Sequence, residues 1–382
     1  MSSLLNHVLW HSHLKLLFNN IELLQILKPL QLLKYCATPL SWLYALGVWV
    51  RNVLYDDRVL PSYMVNIPTI AIGNLAVGGT GKTPMTEYLI RLLSSEYKVA
   101  VLSRGYGRKT HGFRLATAED SARTIGDEPM LIHTHFPDIP VAVCADRVQG
   151  IKQLQLLIPD LQCVILDDAY QHRKLRAGFY ILLTSYDNLY VNDHMLPRGT
   201  LRDLPAESAR ANAVVVTKCP PKLQPIDRRI ISNTLRLASY QQLYYSHIAY
   251  SPLLLTDLPN QSADDVPNIL LITGIANPRP LLDHVQQQFS NTELLAFPDH
   301  HDFTHKDIQI ILEKASRYDY IVTTEKDYMR MQQTILVEAL IDKLHVLPIQ
   351  TDLGDDQSAF DRQILLYVRE SNRQYQPLTY KL

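Results

Sequence analysis

The sequence is short of several features that define whole classes of protein. Its 382 residues include four cysteines (Cys36, Cys144, Cys163 and Cys219) with no CxxC or Cys–His spacing among them. This excludes a disulfide scaffold and a zinc finger, and it fits a reducing compartment. Positive charge is not in surplus either, because 37 lysines and arginines face 38 acids. Nothing in the charge balance therefore favours nucleic acid as a partner.

Long apolar runs are also missing. The longest uncharged stretch near the N-terminus, residues 35–50, has sixteen residues and contains Pro39; about 20 are needed to span a bilayer. All three tryptophans of the chain lie within residues 1–60: Trp10, Trp42 and Trp49. Tryptophan favours the membrane–water boundary, and basic flanks suit anionic lipid. A buried core helix is the alternative, but we favour a helix lying in the membrane interface.

Beyond Arg58, short apolar runs alternate with stretches of helical period, which predicts a parallel sheet with helices on both faces. The first set of predicted strands is Thr69–Gly73, Lys98–Ser103, Val141–Ala145, Cys163–Asp168, Phe179–Thr184 and Ala213–Thr217. The second set is Gln242–Tyr250, Asn268–Thr273, Glu293–Phe297, Tyr320–Thr324 and His345–Ile349. A polar stretch, Pro252–Pro267, separates the sets. We therefore predict three regions: an N-terminal extension with the interfacial helix, a larger α/β core and a smaller α/β lobe, covering residues 1–60, 61–251 and 252–382.

The most informative segment is a glycine-rich loop between a predicted strand and a predicted helix. It runs from Ala76 to Thr83 and reads AVGGTGKT. Such a strand–loop–helix unit wraps backbone N–H groups around phosphates, with the lysine on the β- and γ-phosphates and the hydroxyl on Mg²⁺. The one departure from the pattern GxxxxGKT is alanine at the first glycine. We expect an ATP site formed by Ala76, Val77, Gly78, Gly79, Thr80, Gly81, Lys82 and Thr83.

Acidic residues follow at positions where such a site needs them. Asp167 and Asp168 end an apolar strand, where a phosphate-transferring enzyme places a metal-orienting carboxylate, and the sequence leaves open which of the two meets the metal. Asp127 starts a second acidic segment, GDEP. It is equally well explained as a helix cap or as a general base on a substrate hydroxyl. Asp299 and His300 are better read as a proton-relay pair than as zinc ligands.

Taken together, these segments resemble a known family. Eight motifs occur in the order found in tetraacyldisaccharide 4′-kinases, the enzymes that make lipid A: VGGTGKTP (77–84), SRGYGR (103–108), GDEP (126–129), DDAYQH (167–172), TKCP (217–220), TGIANP (273–278), FPDHHDF (297–303) and TTEKD (323–327). The resemblance implies Mg²⁺ as cofactor and transfer of the γ-phosphate of ATP to the 4′-hydroxyl of tetraacyldisaccharide 1-phosphate, which forms lipid IVA.

The resemblance also implies roles for individual residues. Asp127 paired with His300 is the base; Thr83, Asp167, Asp168 and Asp203 handle the metal, although Asp203 stands where the family has glutamate. The residues implied to bind substrate are Arg104, Arg108, Arg147, Arg202, Gln171 and His172. Because the acceptor carries four acyl chains, the resemblance places the protein at the cytoplasmic face of the inner membrane of a Gram-negative bacterium, in peripheral or monotopic attachment.

Two other functions are compatible with a phosphate loop. One is a non-catalytic nucleotide switch at the membrane, which has no need of the Asp299–His300 pair. The other is a kinase for a soluble sugar or nucleotide, against which the tryptophans and the apolar 35–50 run stand. The sequence leaves the roles of the TKCP and TTEKD motifs open. Their lysines, Lys218 and Lys326, either contact nucleotide or simply end their strands.

Overall fold

The computed structural model describes residues 35–250, 267–275, 277–298, 301, 303–331, 339–340 and 342–375. Its larger sheet has eight strands: β1 (Thr69–Asn74), β2 (Val99–Ser103), β3 (Arg114–Leu115), β4 (Val141–Val143), β5 (Cys163–Leu166), β6 (Phe179–Ser185), β7 (Ala213–Thr217) and β8 (Gln242–Tyr245). Their order across the sheet is β3-β4-β2-β5-β1-β6-β7-β8. Every neighbouring pair is parallel except β3 with β4. The predicted parallel sheet is confirmed.

Helices cover both faces of this sheet. In the first part of the chain they are α1 (Thr38–Asp56), α2 (Lys82–Ser94), α3 (Ala122–Ile125), α4 (Asp127–His135), α5 (Arg147–Leu157) and α6 (Pro225–Leu235). The central strands are buried along their whole length, because alternate residues pack under helices on opposite faces. Ile70 and Ile72 pack against α2, whereas Ala71 lies in the cluster under α5.

A second, smaller sheet follows. It has four parallel strands, β10 (Ile269–Thr273), β11 (Thr292–Ala296), β12 (Tyr320–Thr324) and β13 (Leu344–Leu347), in the order β11-β10-β12-β13. The described helices beside it are α7 (Arg279–Gln288), α8 (His305–Ala315) and α9 (Glu325–Met331). This arrangement confirms the predicted second α/β lobe.

Two strands join the lobes, and they correct two of our predictions. The strand predicted over Gln242–Tyr250 breaks at Ser246: its first half is β8 of the large sheet, and its second half is β9 (His247–Tyr250). The strand predicted over His345–Ile349 breaks at Pro348, which has no N–H for a sheet, and continues as β14 (Ile349–Asp352). β9 and β14 pair antiparallel in a ribbon of their own. The stretch Pro252–Pro267 lies, up to residue 266, outside the described residues.

The last helix returns to the first sheet. α10 (Gln357–Tyr375) places Phe360, Ile364 and Val368 in the core with β1 and α2, and all three side chains are fully buried. The larger lobe is therefore closed by chain that comes after the smaller one. The division of the sequence at residues 60 and 251 stays a prediction.

The N-terminal helix accommodates the proline of the apolar run. Pro39 lies in the first turn of α1 rather than interrupting it, because the first turn has no use for a proline's missing N–H. Residues 1–34, including Trp10, lie outside the described part of the chain. Among the helices that are described, none has the length and apolar character needed to cross a membrane.

Candidate nucleotide and phosphotransfer site

The phosphate loop, residues 76–83, leaves the end of β1 and enters α2. Gly78 and Gly81 have φ angles of 107° and 85°, which L side chains avoid. Gly81 occupies the cap position of α2, so the free N–H groups of the first helical turn face the loop. At the non-standard first position, Ala76 forms a bridge with Leu201. The backbone N–H of Val77 donates to the Thr200 carbonyl at 2.7 Å. Alanine is therefore accommodated.

Side chains from two strands, β1 and β7, hold this loop in shape. The Asn74 amide at the end of β1 donates to the Thr80 hydroxyl at 2.8 Å, and the Thr217 hydroxyl at the end of β7 donates to the Thr80 carbonyl at 2.9 Å. Gly73 must be glycine, because a Cβ there would lie 2.5 Å from the Cβ of Tyr170. These contacts give the TKCP motif a role, since its threonine fixes the loop. The Nζ of Lys218, the lysine of the same motif, lies 3.9 Å from the point that a Cβ on Gly79 would occupy.

Thr83, the predicted metal ligand, presents an oxygen that fits that role. Its side chain is buried, and its hydroxyl makes no hydrogen bond of normal geometry within the described residues. The carboxylate of Glu128 interacts with this hydroxyl, and a cation ligated there would use the oxygen lone pairs that the carboxylate leaves open. Mg²⁺ bound with nucleotide takes one or two protein carboxylates, and phosphate, water and a hydroxyl complete its ligands. Consistent with so small a ligand set, no group of three or more His, Cys, Asp or Glu in the described ranges forms a metal site by itself.

Asp167 and Asp168 both lie at this site, in different surroundings. Asp167 is fully buried and accepts hydrogen bonds from the hydroxyls of Ser103 at 3.0 Å and Thr86 at 3.3 Å. Burial, reinforced by Glu128 and Asp168, raises its pKa. A cation bound beside it would favour the ionised form.

Asp168 adopts a left-handed backbone conformation, with φ 46°, that turns its carboxylate toward basic groups. It pairs with Arg202, and the Nζ of Lys82 lies 3.8 Å away. Burial opposes ionisation of Asp168, but Lys82 and Arg202 outweigh it and lower the pKa. Arg202 also donates to the Asn74 side chain at 2.7 Å. One network therefore joins the acids after β5 to the phosphate loop.

The remaining residues predicted to bind substrate fall into different places. The Gln171 amide donates to the Asn74 carbonyl at 2.7 Å, beside the phosphate loop. Arg108 binds the Gly112 carbonyl at 2.7 Å, and Arg104 is exposed to solvent. His172 has a buried Nε2 without a hydrogen-bond partner in the described structure. Burial, together with Arg147, lowers its pKa to about 4, so its imidazole is neutral at physiological pH.

Arg147 is buried rather than open to a ligand. Its guanidinium donates to four backbone carbonyls, from the loops that follow β4 and β5: Cys144, Ala145, Asp167 and Asp168. Burial lowers its pKa to about 10, which still leaves it charged near neutral pH. It thus supports the backbone of the two acids, and this placement argues against the substrate-binding role that the resemblance implies for Arg147.

Asp203 is likewise placed differently from our expectation. Its fully buried carboxylate accepts a hydrogen bond from Asn52 of α1 at 2.9 Å, and its other near partners are Arg51 and Arg210. Its contacts are therefore with α1 and with Arg210, not with Thr83, Asp167 or Asp168. The sequence could not reveal this, because neighbours along the chain can serve different partners: Arg202 faces the nucleotide site and Asp203 the N-terminal helix. The placement argues against a metal role for Asp203.

The GDEP segment meets the phosphate loop from the other side. Gly126, with φ 98°, takes the cap position of α4, so Asp127 is the first helical residue and not the cap. Burial opposes ionisation of the neighbouring Glu128, but Lys326 (2.9 Å away) and Lys82 outweigh it and lower its pKa. Asp127 is half-exposed and lies 3.2 Å from the Nε of Arg330. Both acids of GDEP are therefore held by α9 of the smaller lobe.

The predicted partner of Asp127, His300, lies with Asp299 outside the described residues. Nearby, His301 stacks on Phe297 and bonds Asp307 at 3.0 Å. This loop meets the TGIANP segment at Gly274, where a Cβ would lie 3.0 Å from the Pro298 carbonyl. The FPDHHDF and TGIANP motifs thus meet in the smaller lobe.

Sequence reasoning missed three residues of this site. Asn74 ends a strand like many others, and nothing in its neighbourhood marks it. Arg330 lies one helical turn beyond Lys326 and Asp327, so helical spacing from the TTEKD motif was a usable signal. Asp327 is fully buried and accepts from Thr273, Gly274 and Thr324, and it also pairs with Arg330 at 3.1 Å.

A parallel sheet with a strand–loop–helix phosphate site, a buried hydroxyl beside its lysine and paired acids after the neighbouring strand is the arrangement of a P-loop nucleotide-binding protein. Comparison with known proteins gives the particular family. Residues 33–369 match the family described as tetraacyldisaccharide-1-P 4′-kinase, and the chain belongs to that family.

Individual relatives agree over nearly the full chain. The tetraacyldisaccharide 4′-kinase of Flavobacterium johnsoniae is 45% identical over 344 residues, 90% of this chain and 99% of its own length. That of Bacteroides fragilis strain YCH46 is 46% identical over 350 residues, 88% of this chain and 93% of its own. The crystal structure of LpxK from Aquifex aeolicus in complex with ATP is similar, with TM-score 0.66 and 27% identity, covering 88% of this chain and 99% of that one.

Proposed function

We infer that the chain is an ATP-dependent tetraacyldisaccharide 4′-kinase of lipid A biosynthesis. It transfers the γ-phosphate of ATP to the 4′-hydroxyl of tetraacyldisaccharide 1-phosphate and so forms lipid IVA. The observation that carries this proposal is the phosphate loop, ordered by Asn74 and Thr217 and facing the acids of DDAYQH and GDEP, in a chain that matches the kinase family over residues 33–369.

In this proposal, the chain binds ATP with the backbone of residues 76–83 and with Lys82. Lys82 is pulled toward Asp168, so its ammonium is already directed to the side where the terminal phosphates bind. Thr83, Asp167 and Asp168 would hold Mg²⁺, which when bound neutralises charge on the phosphates. Arg202 draws Asp168 toward the loop, and Arg147 fixes the backbone of both acids.

Proton removal from the acceptor hydroxyl is assigned to Asp127 with His300. Asp127 is half-exposed at the edge of the phosphate site, so an incoming sugar can reach it. Arg330 holds its carboxylate from the protein side, and a positioned carboxylate can accept the proton of the hydroxyl. His300 keeps its role from the family resemblance alone.

The acyl chains of the acceptor require a membrane surface, and α1 offers one. Its buried residues are Ser41, Val48 and Asn52, so the helix docks on the protein through a largely polar stripe. Six of its large apolar side chains are exposed, namely Leu40, Trp42, Leu43, Leu46, Trp49 and Val50. We propose that this face inserts into the headgroup region at the cytoplasmic side of the inner membrane, where ATP is available.

The experiment that tests the function is transfer of label from γ-labelled ATP to tetraacyldisaccharide 1-phosphate in detergent micelles. Lys82→Ala removes the phosphate-binding ammonium and is expected to lower kcat at least about a hundredfold, because the developing charge loses its main cation. Lys98→Ala is the matched control: Lys98 is an exposed lysine paired with Asp160, and its loss leaves activity unchanged.

Each result decides between the functions. Labelled lipid from wild type and Lys98→Ala, but not from Lys82→Ala, supports the kinase. Label released only as inorganic phosphate, with or without lipid, overturns the kinase in favour of a nucleotide switch. Transfer to a water-soluble saccharide in preference to the lipid would make it a kinase for a soluble acceptor.

A further inference from the structure

His135, the last residue of α4, lies between two carboxylates that come from distant parts of the chain. Its Nδ1 lies 2.9 Å from an Oε of Glu87, and its Nε2 lies 2.9 Å from an Oε of Glu325. Glu87 belongs to α2, the helix that starts in the phosphate loop, and Glu325 begins α9 of the smaller lobe. One imidazole ring thus joins three helices.

The hydrogen-bond partners of the ring require it to be an imidazolium. An ionised carboxylate only accepts hydrogen bonds, so both ring nitrogens have to donate. The hydrogen bonds to Glu325 and Glu87 raise the pKa of His135 to about 10, against a smaller opposing effect of burial. The other groups that face this cluster are Arg91 of α2, 3.7 Å from Glu87, and the Ile349 N–H of β14, 3.4 Å from Glu325.

The same pair of helices meets again at the catalytic end. α4 starts with Asp127 and Glu128, which contact Arg330 and Lys326 of α9. α9 therefore contacts both ends of α4: Glu325 contacts its last residue, and Lys326 and Arg330 contact its first two. His135 therefore closes one end of a contact whose other end holds the two GDEP acids.

The P-loop helix is tied to the same point. Glu87 lies four residues after Thr83, on the same side of α2, and it is almost completely buried. A displacement of Glu87 relative to His135 would therefore change the separation between the phosphate loop and the start of α4. Since reacting groups have to be held within a fraction of an ångström, small displacements matter there.

We propose that His135 is a positioning residue, whose imidazolium clamps α4 between the P-loop helix and α9 and so sets where Asp127 stands relative to the γ-phosphate. This inference rests on the proposed kinase function, because Asp127 is taken as the group that receives the acceptor proton. His135 itself contacts neither substrate in this arrangement; it acts through α4.

The variant that tests it is His135→Gln, which keeps a polar side chain but carries no charge and cannot donate to both carboxylates. We expect kcat to fall about tenfold or more, because a shift of the base raises the barrier of the transfer step. The KM for ATP should change less than about threefold, since the loop that binds ATP is held by Asn74 and Thr217 and is untouched. His135→Arg keeps the charge and two-sided donation, so it should recover much of the lost kcat.

Two further variants separate positioning from general damage. His133→Gln alters the same helix without touching either glutamate and should keep wild-type kcat. Glu325→Gln should lower kcat like His135→Gln, and the double variant should be no worse than either single one, because both remove the same contact. Unchanged kcat in a folded His135→Gln, or equal losses in His135→Arg and His135→Gln, would overturn the proposal.

The charge of the His135 ring can be measured directly by NMR, without following the reaction. In protein labelled with nitrogen-15 histidine, with His135→Gln for assignment, the His135 ring should show the imidazolium signature at about pH 8, where an ordinary histidine is neutral. The contribution of His135 to the stability of the fold depends on the same proton. A raised pKa adds stability that is complete below the unfolded value, about 6.5, and is lost as pH rises through about 10.

The difference in Tm between wild type and His135→Gln should therefore shrink as the pH rises across that range. A neutral ring at pH 7 would contradict the proposal whatever the activity. If the ring is charged but wild type transfers no phosphate to the lipid, the proposed function fails while the charged clamp itself stands.

Discussion

At the scale of single residues, Thr83 and Thr86 form a natural pair for comparison. Both are buried threonines in the first turns of α2. The Thr86 hydroxyl donates to Asp167, whereas the Thr83 hydroxyl has no hydrogen bond of normal geometry in the described structure. The Thr86 hydrogen bond stabilises the folded chain, whereas the Thr83 hydroxyl contributes no hydrogen bond of that kind. This difference supports the proposal that the Thr83 hydroxyl binds a ligand.

Thr83→Val and Thr86→Val are expected to behave in opposite ways. Thr83→Val should leave Tm unchanged or higher and should lower Mg²⁺-dependent kcat about a hundredfold, because it removes only the oxygen meant for the cation. Thr86→Val should cost ~1–2 kcal/mol of stability, since it takes one donor from the buried Asp167. Thermal unfolding without ligand, together with initial rates at varied Mg²⁺, measures both. A lower Tm for Thr83→Val would show that its hydroxyl serves the fold.

At the scale of elements, α1 reverses the usual arrangement of a surface helix. An amphipathic helix normally buries its apolar stripe, yet α1 buries Ser41 and Asn52 and exposes Trp42 and Trp49 at 70% and 52%. Asn52 bonds the buried Asp203, which fixes the rotation of the helix. The apolar face is therefore turned outward by specific polar contacts and is available to a lipid surface.

Replacing both exposed tryptophans should weaken binding to vesicles. Burying a large apolar side chain contributes at least ~1.5 kcal/mol, so the double variant Trp42→Ser with Trp49→Ser should lower partition into anionic phospholipid vesicles about a hundredfold. Vesicle flotation measures this. The matched control is Leu156→Ser with Leu157→Ser on α5, two leucines that are also exposed. Equal loss in the two double variants would mean that α1 is not the membrane-binding element.

At the scale of the whole molecule, the C-terminal helix α10 packs into the core of the first lobe. Phe360 of α10 is fully buried and makes edge contacts with Tyr88 and Tyr244, with ring centroids 5.9 and 5.1 Å apart. The Tyr367 hydroxyl bonds the Thr69 carbonyl at the start of β1. The nucleotide-binding lobe therefore depends on residues that follow the second lobe.

Phe360→Ala should reveal this dependence. Loss of a fully buried phenylalanine costs ~3–5 kcal/mol, from lost burial and from the cavity that remains. Leu366→Ala, on the same helix but 40% exposed, should cost less than ~1 kcal/mol. Denaturant unfolding with a probe on the larger lobe gives both values. Similar midpoints for the two variants would mean that α10 adds little to the stability of that lobe.

Much of this molecule follows from short stretches of its sequence. The phosphate loop, the helix after it and the buried strands were predictable, because each depends on backbone preferences and on periodicity within about ten residues. The same is true of the acids after β5, whose position at the end of a parallel strand follows from the strand itself. The apolar character of residues 35–50 was also legible in the sequence, whereas their contact with lipid stays a prediction.

What only the tertiary structure decided is which distant side chains meet. Asp127 pairs with Arg330, 203 residues away, Asp203 contacts α1 instead of Asp167 and Asp168, and α10 closes the first lobe. Such contacts depend on how whole elements pack, and a sequence pattern fixes which face of an element is apolar but not which element will cover it. His135 shows the difference most clearly: its sequence surroundings are ordinary, and its charge exists because two helices bring a carboxylate to each side of its ring.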